Sequence, residues 1–392
     1  MTTASDRNPG ALLDRSDERL KDRSGAKGAI RGFLDRVRSG DLGSLPVVVG
    51  LVLICTIFQT LNPVFLSPNN LVNLLFDCST VGIISLGIVC VLMVGEIDLS
   101  VGSVSGLASA LLGVLWVQWG WPVALAMLAA MAVGFVTGCV YALLLNRLGM
   151  PSFVSTLSGL LAFLGLQLYI LGPTGSINLP YDSPLVNFGQ LLVMPHWVSH
   201  TLAVVPGVLA LALGYRKAQR RQAAGLSSRS LGGLLLQAVA ITVALELVAY
   251  YLNLSRGVPW MFALFVGLVV AMNYALKRTQ WGRSMTAVGG NREAARRAGI
   301  NVRLIYASAF ALCATLAATG GLLSAARLAT AGGRGSAYSA LLGIIVIQSI
   351  ASGLTLLDLS SSLRYMITGC VLAIAVIVDS LARRSRVSHG RA

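Results

Sequence analysis

LVNLLFDCSTVGIISLGIVCVLMVGEIDLSVGSVSGLASALLGVLWVQW, residues 71–119, decides how the rest of the chain is read. It holds two apolar runs, 71–94 and 99–119, and a helix needs ~20 apolar residues to cross the hydrocarbon of a bilayer. Between them stand Glu96 and Asp98. A charged group at the bilayer centre costs at least ~2.5 kcal/mol, so this backbone must be broken, buried or lining water. The expected geometry is a discontinuous helix near residues 95–99. Asp98 is placed to cap a helix beginning at Leu99, with Ser100 and Ser103 in its first turn and Gly102 permitting close packing. Two roles for Asp98 stay open: a satisfied cap, or part of a translocation path lined by Glu96, Asp98, Ser100, Gly102 and Ser103.

Applied outward, the same length criterion predicts spans at 46–61, 71–94, 99–119, 122–145, 153–171, 198–214, 233–252, 259–276, 304–326, 336–350 and 363–381. The expectation is an all-α, polytopic transmembrane bundle of about 11 spans. Of the 392 residues, 55% are apolar and only 11% charged, with a mean hydropathy of +0.76, too few polar groups to cover a soluble surface. The formal charge of +15 does not indicate nucleic acid, because the basic residues lie between or outside the apolar runs. Residues 1–44 mix nine Lys/Arg with seven Asp/Glu and lack an apolar core, which reads as a cytoplasmic tail and not as a signal peptide. Residues 383–392 form a second, basic tail.

The positive-inside rule orients the spans within a cytoplasmic membrane, N-terminus inside. Arg147, the cluster Arg216, Lys217, Arg220, Arg221 and Arg229, and the 277–303 loop then share the cytoplasmic face. Trp116, Trp119 and Trp121 mark the opposite edge, and residues 172–197 carry no Lys or Arg. Eleven crossings leave Arg383, Arg384, Arg386 and Arg391 outside, against the rule. An internal echo locates the break in parity: VGSVSGLASALLGVL (101–115) and RGSAYSALLGII (334–345) share SALLG, yet only the first follows a long apolar run. The second copy is expected to lack its leading span, near residues 328–335.

Residues 281–303, WGRSMTAVGGNREAARRAGINVR, form the sizeable soluble patch of the second half. Asn291 is suited to cap a short helix with Glu293 in its first turn and Arg296 and Arg297 at its end, the charge order the helix dipole favours. Ala294, Ala295 and Ala298 are expected to leave one side bare, while Gly289, Gly290 and Gly299 allow the turns on either side. The physics alone is equally that of an ordinary connector.

Further polar groups fall inside spans. Asp77 lies towards an outer end and is expected to snorkel, whereas Glu246 sits mid-span and should face a neighbouring helix. Asn73, Gln167, Asn273 and Gln348 read as helix–helix hydrogen-bonding groups or contacts for a polar solute. The six cysteines lie singly in apolar runs, and no His/Glu spacing suits a metal.

The runs GGNREAARRAGINV (289–302), IDLSVGS (97–103), NRLGMPSFVSTLSGLLAFLGL (146–166) and GCVLAIAVIVDSLARR (369–384) resemble the sugar permeases of the ribose/xylose type, membrane subunits of ABC importers. The resemblance runs from about Leu45 to the tail, and the extra pair of spans around the Arg216–Arg229 cluster is closest to the xylose-type branch. It implies a paired pore, a homodimer or two permeases, that receives a monosaccharide from an extracytoplasmic sugar-binding protein. It also implies a cytoplasmic ABC ATPase subunit that hydrolyses ATP, this chain binding no cofactor itself and showing no G-x-x-x-x-G-K-[ST] loop. Energy is then expected to arrive through Gly289, Gly290, Asn291, Glu293, Ala294, Ala295, Arg296, Gly299 and Ile300. Family members carry a further apolar stretch with an acidic residue before the GGRGS-like segment, and its absence here raises the alternative of a transport-deficient permease. A second alternative is a proton-coupled secondary transporter titrating Asp77, Glu96, Asp98 or Glu246. An intramembrane enzyme would need converging catalytic groups, and no such constellation is visible.

Overall fold

The computed structural model describes residues 45–224, 228, 230–331, 341–357 and 367. The chain divides into two compact units, one containing Met194–Val258 and the other Gly50–Val193 with Pro259–Leu359. Among the described residues eight helices are long and apolar enough to cross a membrane, and Val48–Leu61 is a shorter apolar helix. The predicted span at 363–381, apart from residue 367, and both tails lie outside the described residues.

In the larger unit, α1 (Leu45–Leu61) leads through a short turn into α2 (Pro68–Met93). Ser67 caps α2 by accepting from the Asn70 N–H, and Pro68 occupies its first turn, where no amide donor is needed. After an extended segment the chain continues as α3 (Val101–Gly113), which ends in a π-helical turn at Val114–Gln118. Then follow α4 (Val123–Leu148) and α5 (Ser152–Leu171). Gly149, at φ +66°, ends α4 in the left-handed region that glycine tolerates. A loop region holds β1 (Ile177–Asn178) and the short α6 (Pro184–Gln190). The smaller unit contributes α7 (His196–Ala223) and α8 (Leu231–Asn253), whose ends close on each other through the Met194 N–H and the Val258 carbonyl at 2.8 Å. The larger unit resumes with α9 (Trp260–Arg278), α10 (Gln280–Gly290), α11 (Arg292–Arg297), α12 (Val302–Leu328), β2 (Thr330–Ala331) and α13 (Leu341–Leu356).

The core of the larger unit is built on α12, whose Ala309, Ala314, Ala317, Ala318, Ala325 and Ala326 are buried. Lipid is as apolar as a leucine side chain, so helices in a membrane associate by close packing, and small residues let backbones approach. The registers follow from the contacts. Along α2, Gly87 packs on the backbone of Cys313, Thr80 and Ile84 meet Gly320, and Asp77 meets Arg327, so α2 and α12 are antiparallel. Along α3, Ser105 meets Gly321 and Gly113 meets Ala331, so α3 and α12 run parallel. Two aromatic contacts, Tyr141 with Phe310 and Tyr141 with Phe163, tie α4 to α12 and α5.

Two faces result. Met93, the end of α4 near Asn146, and α10–α11 lie at one end, the basic face, where the Asn146 amide donates to the Arg303 carbonyl at 3.0 Å. Trp119 and Trp121, the start of α2 and the two-stranded antiparallel ribbon Ile177↔Ala331, Asn178↔Thr330 lie at the other, the tryptophan face. α13 is the exception to alternation. Ser352 Oγ donates to Asn70 Oδ1 at 3.2 Å, Gly353 packs on Phe58, and the Asn62 amide reaches the Leu356 carbonyl at 3.0 Å. α13 therefore ends on the tryptophan face, and it and α12 both oppose α2. Two successive helices, α12 and the shorter α13, thus point the same way.

Candidate functional site

The interruption predicted at 95–99 is an extended link from Val94 to Ser100 that climbs back into the bundle. Gly95 turns the chain at φ +81°. The side chains then alternate as in a strand: Asp98 and Ser100 are buried, whereas Ile97 and Leu99 are 50% and 37% exposed. Backbone groups freed by leaving the helix must find partners at this depth, and α5 supplies them. The Ile97 N–H donates to Ser152 Oγ at 3.4 Å and the Leu99 N–H to Thr156 Oγ1 at 3.2 Å. Ser152 Oγ in turn donates to the Glu96 carboxylate at 2.6 Å. The residues that hold the link, Ser152 and Thr156, lie in the quoted 146–166 run, but nothing in their spacing showed what they bond.

Asp98 does not cap a helix starting at Leu99. The helix starts at Val101, Ser100 is already in helical geometry at φ −83°, ψ −7°, and Asp98 Oδ1 accepts instead from the Ser100 N–H at 2.8 Å and Ser100 Oγ at 2.7 Å. The helix starts two residues later than expected, and those two bonds hold Ser100 at its N-cap. Oδ2 is buried and makes no hydrogen bond of full geometry, although the Cys313 thiol lies against the carboxylate. Ser103 Oγ donates back to the Ser100 carbonyl at 2.8 Å, and Gly102 lies in the same first turn of α3.

On the basic face, Asn291 caps α11 as expected, accepting from the Ala294 N–H at 2.9 Å. Glu293 pairs with Arg296 at 2.8 Å and Arg297 at 3.3 Å, and the Arg296 hydrogen bond holds its carboxyl below the ordinary range. The bare side is narrower than the sequence implied. Ala295 is buried in the core beside Met285 and Val288, because a six-residue helix must turn one face inward; Ala294 and Ala298 remain exposed. Gly299, at φ +83°, turns the chain towards Ile300 and α12. Gly289, at the end of α10, abuts the Met93 carbonyl so closely that a side chain has no room, while Gly290 faces open space. The ends of α10 and α2 are thus in direct backbone contact.

Two other intramembrane carboxylates are placed. Asp77 does not snorkel: Oδ1 accepts from Arg327 Nε at 2.7 Å, Arg327 also reaches Asn73 Oδ1 at 3.3 Å, and its guanidinium lies 5.2 Å from the Phe76 ring centroid. Arg327 lay at the predicted end of a span, so the pairing across 250 residues was invisible in sequence. In the smaller unit, Glu246 meets His200 Nδ1 at 2.6 Å, and Asn253 joins His200 and Ser199. No group of three or more His, Cys, Asp or Glu that could hold a metal occurs among the described residues.

An all-helical apolar bundle whose broken helix packs at its end on α10, just ahead of the exposed, capped, basic α11, defines a polytopic membrane protein. The sequence pattern of the family described as "Branched-chain amino acid transport system / permease component" matches residues 70–331, and the chain belongs to that family. It is 29% identical over 382 residues to the xylose transport system permease protein XylH of Escherichia coli K12, covering 90% of this chain and 95% of that protein. It is 28% identical to XylH of Haemophilus influenzae over 88% of this chain and 98% of that protein. The ribose import permease protein RbsC of Bacillus subtilis is 28% identical over 87% of this chain and 94% of its own length. No solved structure matches the chain. The protein is a multi-pass sugar ABC transporter permease of the ribose/xylose type.

Proposed function

We propose that the chain is the membrane-spanning subunit of an ATP-driven importer for a monosaccharide, a pentose such as xylose. Substrate passes from an extracytoplasmic sugar-binding protein to the cytoplasm. A separate ATPase subunit docks on Gly289 to Ile300, hydrolyses ATP and leaves this chain free of cofactor. A second copy completes the pore, and the translocation path runs by Glu96, Asp98, Ser100, Gly102 and Ser103. The basic face is then cytoplasmic, with the N-terminus on that side. The observation that supports the reading is the packing of Gly289, at the end of α10, on Met93, at the end of the helix before the break. The test is reconstitution in proteoliposomes with the ATPase subunit and a xylose-binding protein. ATP-dependent accumulation of labelled D-xylose supports the reading, and accumulation driven by a proton gradient without ATP defeats it.

The shared direction of α12 and α13 favours a second reading, that one crossing has been lost between them. α13 ends on the tryptophan face, and the span expected from sequence at 363–381 would then bring Arg383 to Arg391 to the basic face. A C-terminal reporter active only in the cytoplasm separates the cases. Activity agrees with that path and a working pore, whereas silence means inverted final helices and a transport-deficient permease.

A further inference from the structure

The last two turns of α7 carry a charged patch that sugar transport and ATPase docking leave unused. Gly207 packs on the Ala238 carbonyl and Thr242, and Gly214 packs on Leu234, so α7 and α8 are antiparallel and meet through small residues. Ala218 continues that face and is buried. Arg216, Lys217, Arg220 and Arg221 stand at i, i+1, i+4 and i+5, which at ~100° per residue keeps them on one flank beside it. The first three are exposed and Arg221 is half-buried. Ser230 caps α8, and the Gln222 amide donates to Ser228 Oγ at 3.0 Å, so α7 runs on past the start of α8. The sequence holds no Asp or Glu between Asp182 and Glu246, and Glu246 is engaged with His200 at the other end of the helix pair. The hairpin thus brings four cations to one end with no carboxylate of its own to balance them.

The depth of the patch points to what balances it. Trp197 and Tyr215, on α7, are 72% and 47% exposed. At ~1.5 Å per residue they stand about 27 Å apart along the axis, close to the ~30 Å of the hydrocarbon, and exposed Trp and Tyr settle at its two edges. Arg216 to Arg221 then lie about 2–9 Å beyond Tyr215, which matches a headgroup layer about 5–8 Å thick. We propose that Arg216, Lys217, Arg220 and Arg221 form a binding surface for anionic phospholipids, their side chains reaching the headgroup phosphates. A soluble acidic partner would need these charges further out; at this depth the phosphodiesters are the anions within reach. The guanidinium forks accept a phosphate in pairs of hydrogen bonds and the lysine adds a point charge. A zwitterionic headgroup carries an ammonium that competes for its own phosphate, so the surface selects lipids with a net negative charge. The proposal is independent of the solute carried and of the docking of an ATPase on α11.

The experiment uses the full chain in phosphatidylcholine nanodiscs, with a bimane fluorophore on Ala223→Cys at the exposed end of α7. Quenching is titrated with phosphatidylglycerol carrying a nitroxide at the top of an acyl chain, and separately with phosphatidylcholine carrying the same nitroxide. The chain without the substitution measures any label on the native cysteines. The expected result is half-quenching at a mole fraction at least about fivefold lower for phosphatidylglycerol, the factor that one Lys or Arg near an anionic surface contributes. That preference disappears in R216Q/K217Q/R220Q/R221Q. Equal quenching by the two lipids with the patch intact overturns the proposal. A preference that survives the four substitutions also overturns it, since the lipid then gathers on other residues. If the quadruple variant fails to accumulate, salt tests the same surface with the patch intact. Raising NaCl from about 0.1 M to about 1 M shortens the screening length from about 10 Å to about 3 Å and should remove the preference; a preference unchanged by salt defeats the proposal. Loss of the preference on adding inorganic phosphate, against chloride at matched ionic strength, defeats it too, because the patch is then a site for the free anion.

Discussion

The carbonyl oxygen of Met93 occupies the space in which a side chain on Gly289 would stand. One residue ends the helix that precedes the break, and the other is the penultimate residue of α10, just before the capped helix α11, so the two stretches the sequence singled out separately meet at a backbone contact.

Gly289→Val should therefore separate α10 from α2. Overpacking of a tight contact costs about 1–3 kcal/mol, which a fall in the thermal midpoint of the detergent-solubilised protein will register. The same variant should lose ATPase stimulation, whereas Gly290→Val, facing open space, should leave the thermal midpoint unchanged.

The alanines of α11 should divide by burial. Ala294→Asp with Ala298→Asp leaves folding intact and blocks co-purification of the ATPase, since both positions are exposed. Ala295→Asp places a carboxylate in the core and should cost several kcal/mol, about 3 or more, visible as loss of membrane-inserted protein. Full ATPase association of the double variant would remove α11 from the docking surface.

Asp98→Ala removes the acceptor for the Ser100 N–H and Ser100 Oγ. Leaving those donors unpaired in the interior should cost about 1–3 kcal/mol, and the link should lose its alternation. Amounts of monodisperse protein and rates of sugar uptake check this; wild-type values for both would make the turn dispensable.

Arg327→Leu and Asp77→Leu should each destabilise the protein more than the double variant does. The side chains are 18% and 32% exposed, so solvent screening reduces the cost of a broken pair to about 1–3 kcal/mol per single change. A double-mutant cycle on thermal midpoints gives the coupling, and additivity of the two singles would mean the pair contributes nothing.

Much of the architecture was legible. The break near Glu96, the Asn291 cap and nearly every span could be read because each depends on local composition: an apolar run long enough for the bilayer, or a capping side chain three residues from the amide it satisfies. The start of α3 was misplaced because two bonds from Asp98 compete with helix nucleation, and Asp77 was misread because its partner stands 250 residues away.

Hydrophobic length and charge placement determined by themselves that this is a polytopic membrane protein, because a bilayer imposes its thickness and its charge asymmetry on any chain that crosses it, and the permease family was legible through the resemblance of its motifs. Only the tertiary structure decided which side of each segment does what. It turned Ala295 inward and Ile97 outward, aligned α13 with α12, and joined Asp77 to Arg327. Those outcomes depend on which distant helices pack together, and close packing of glycine and alanine faces leaves no periodic signal from which the pairing could be read.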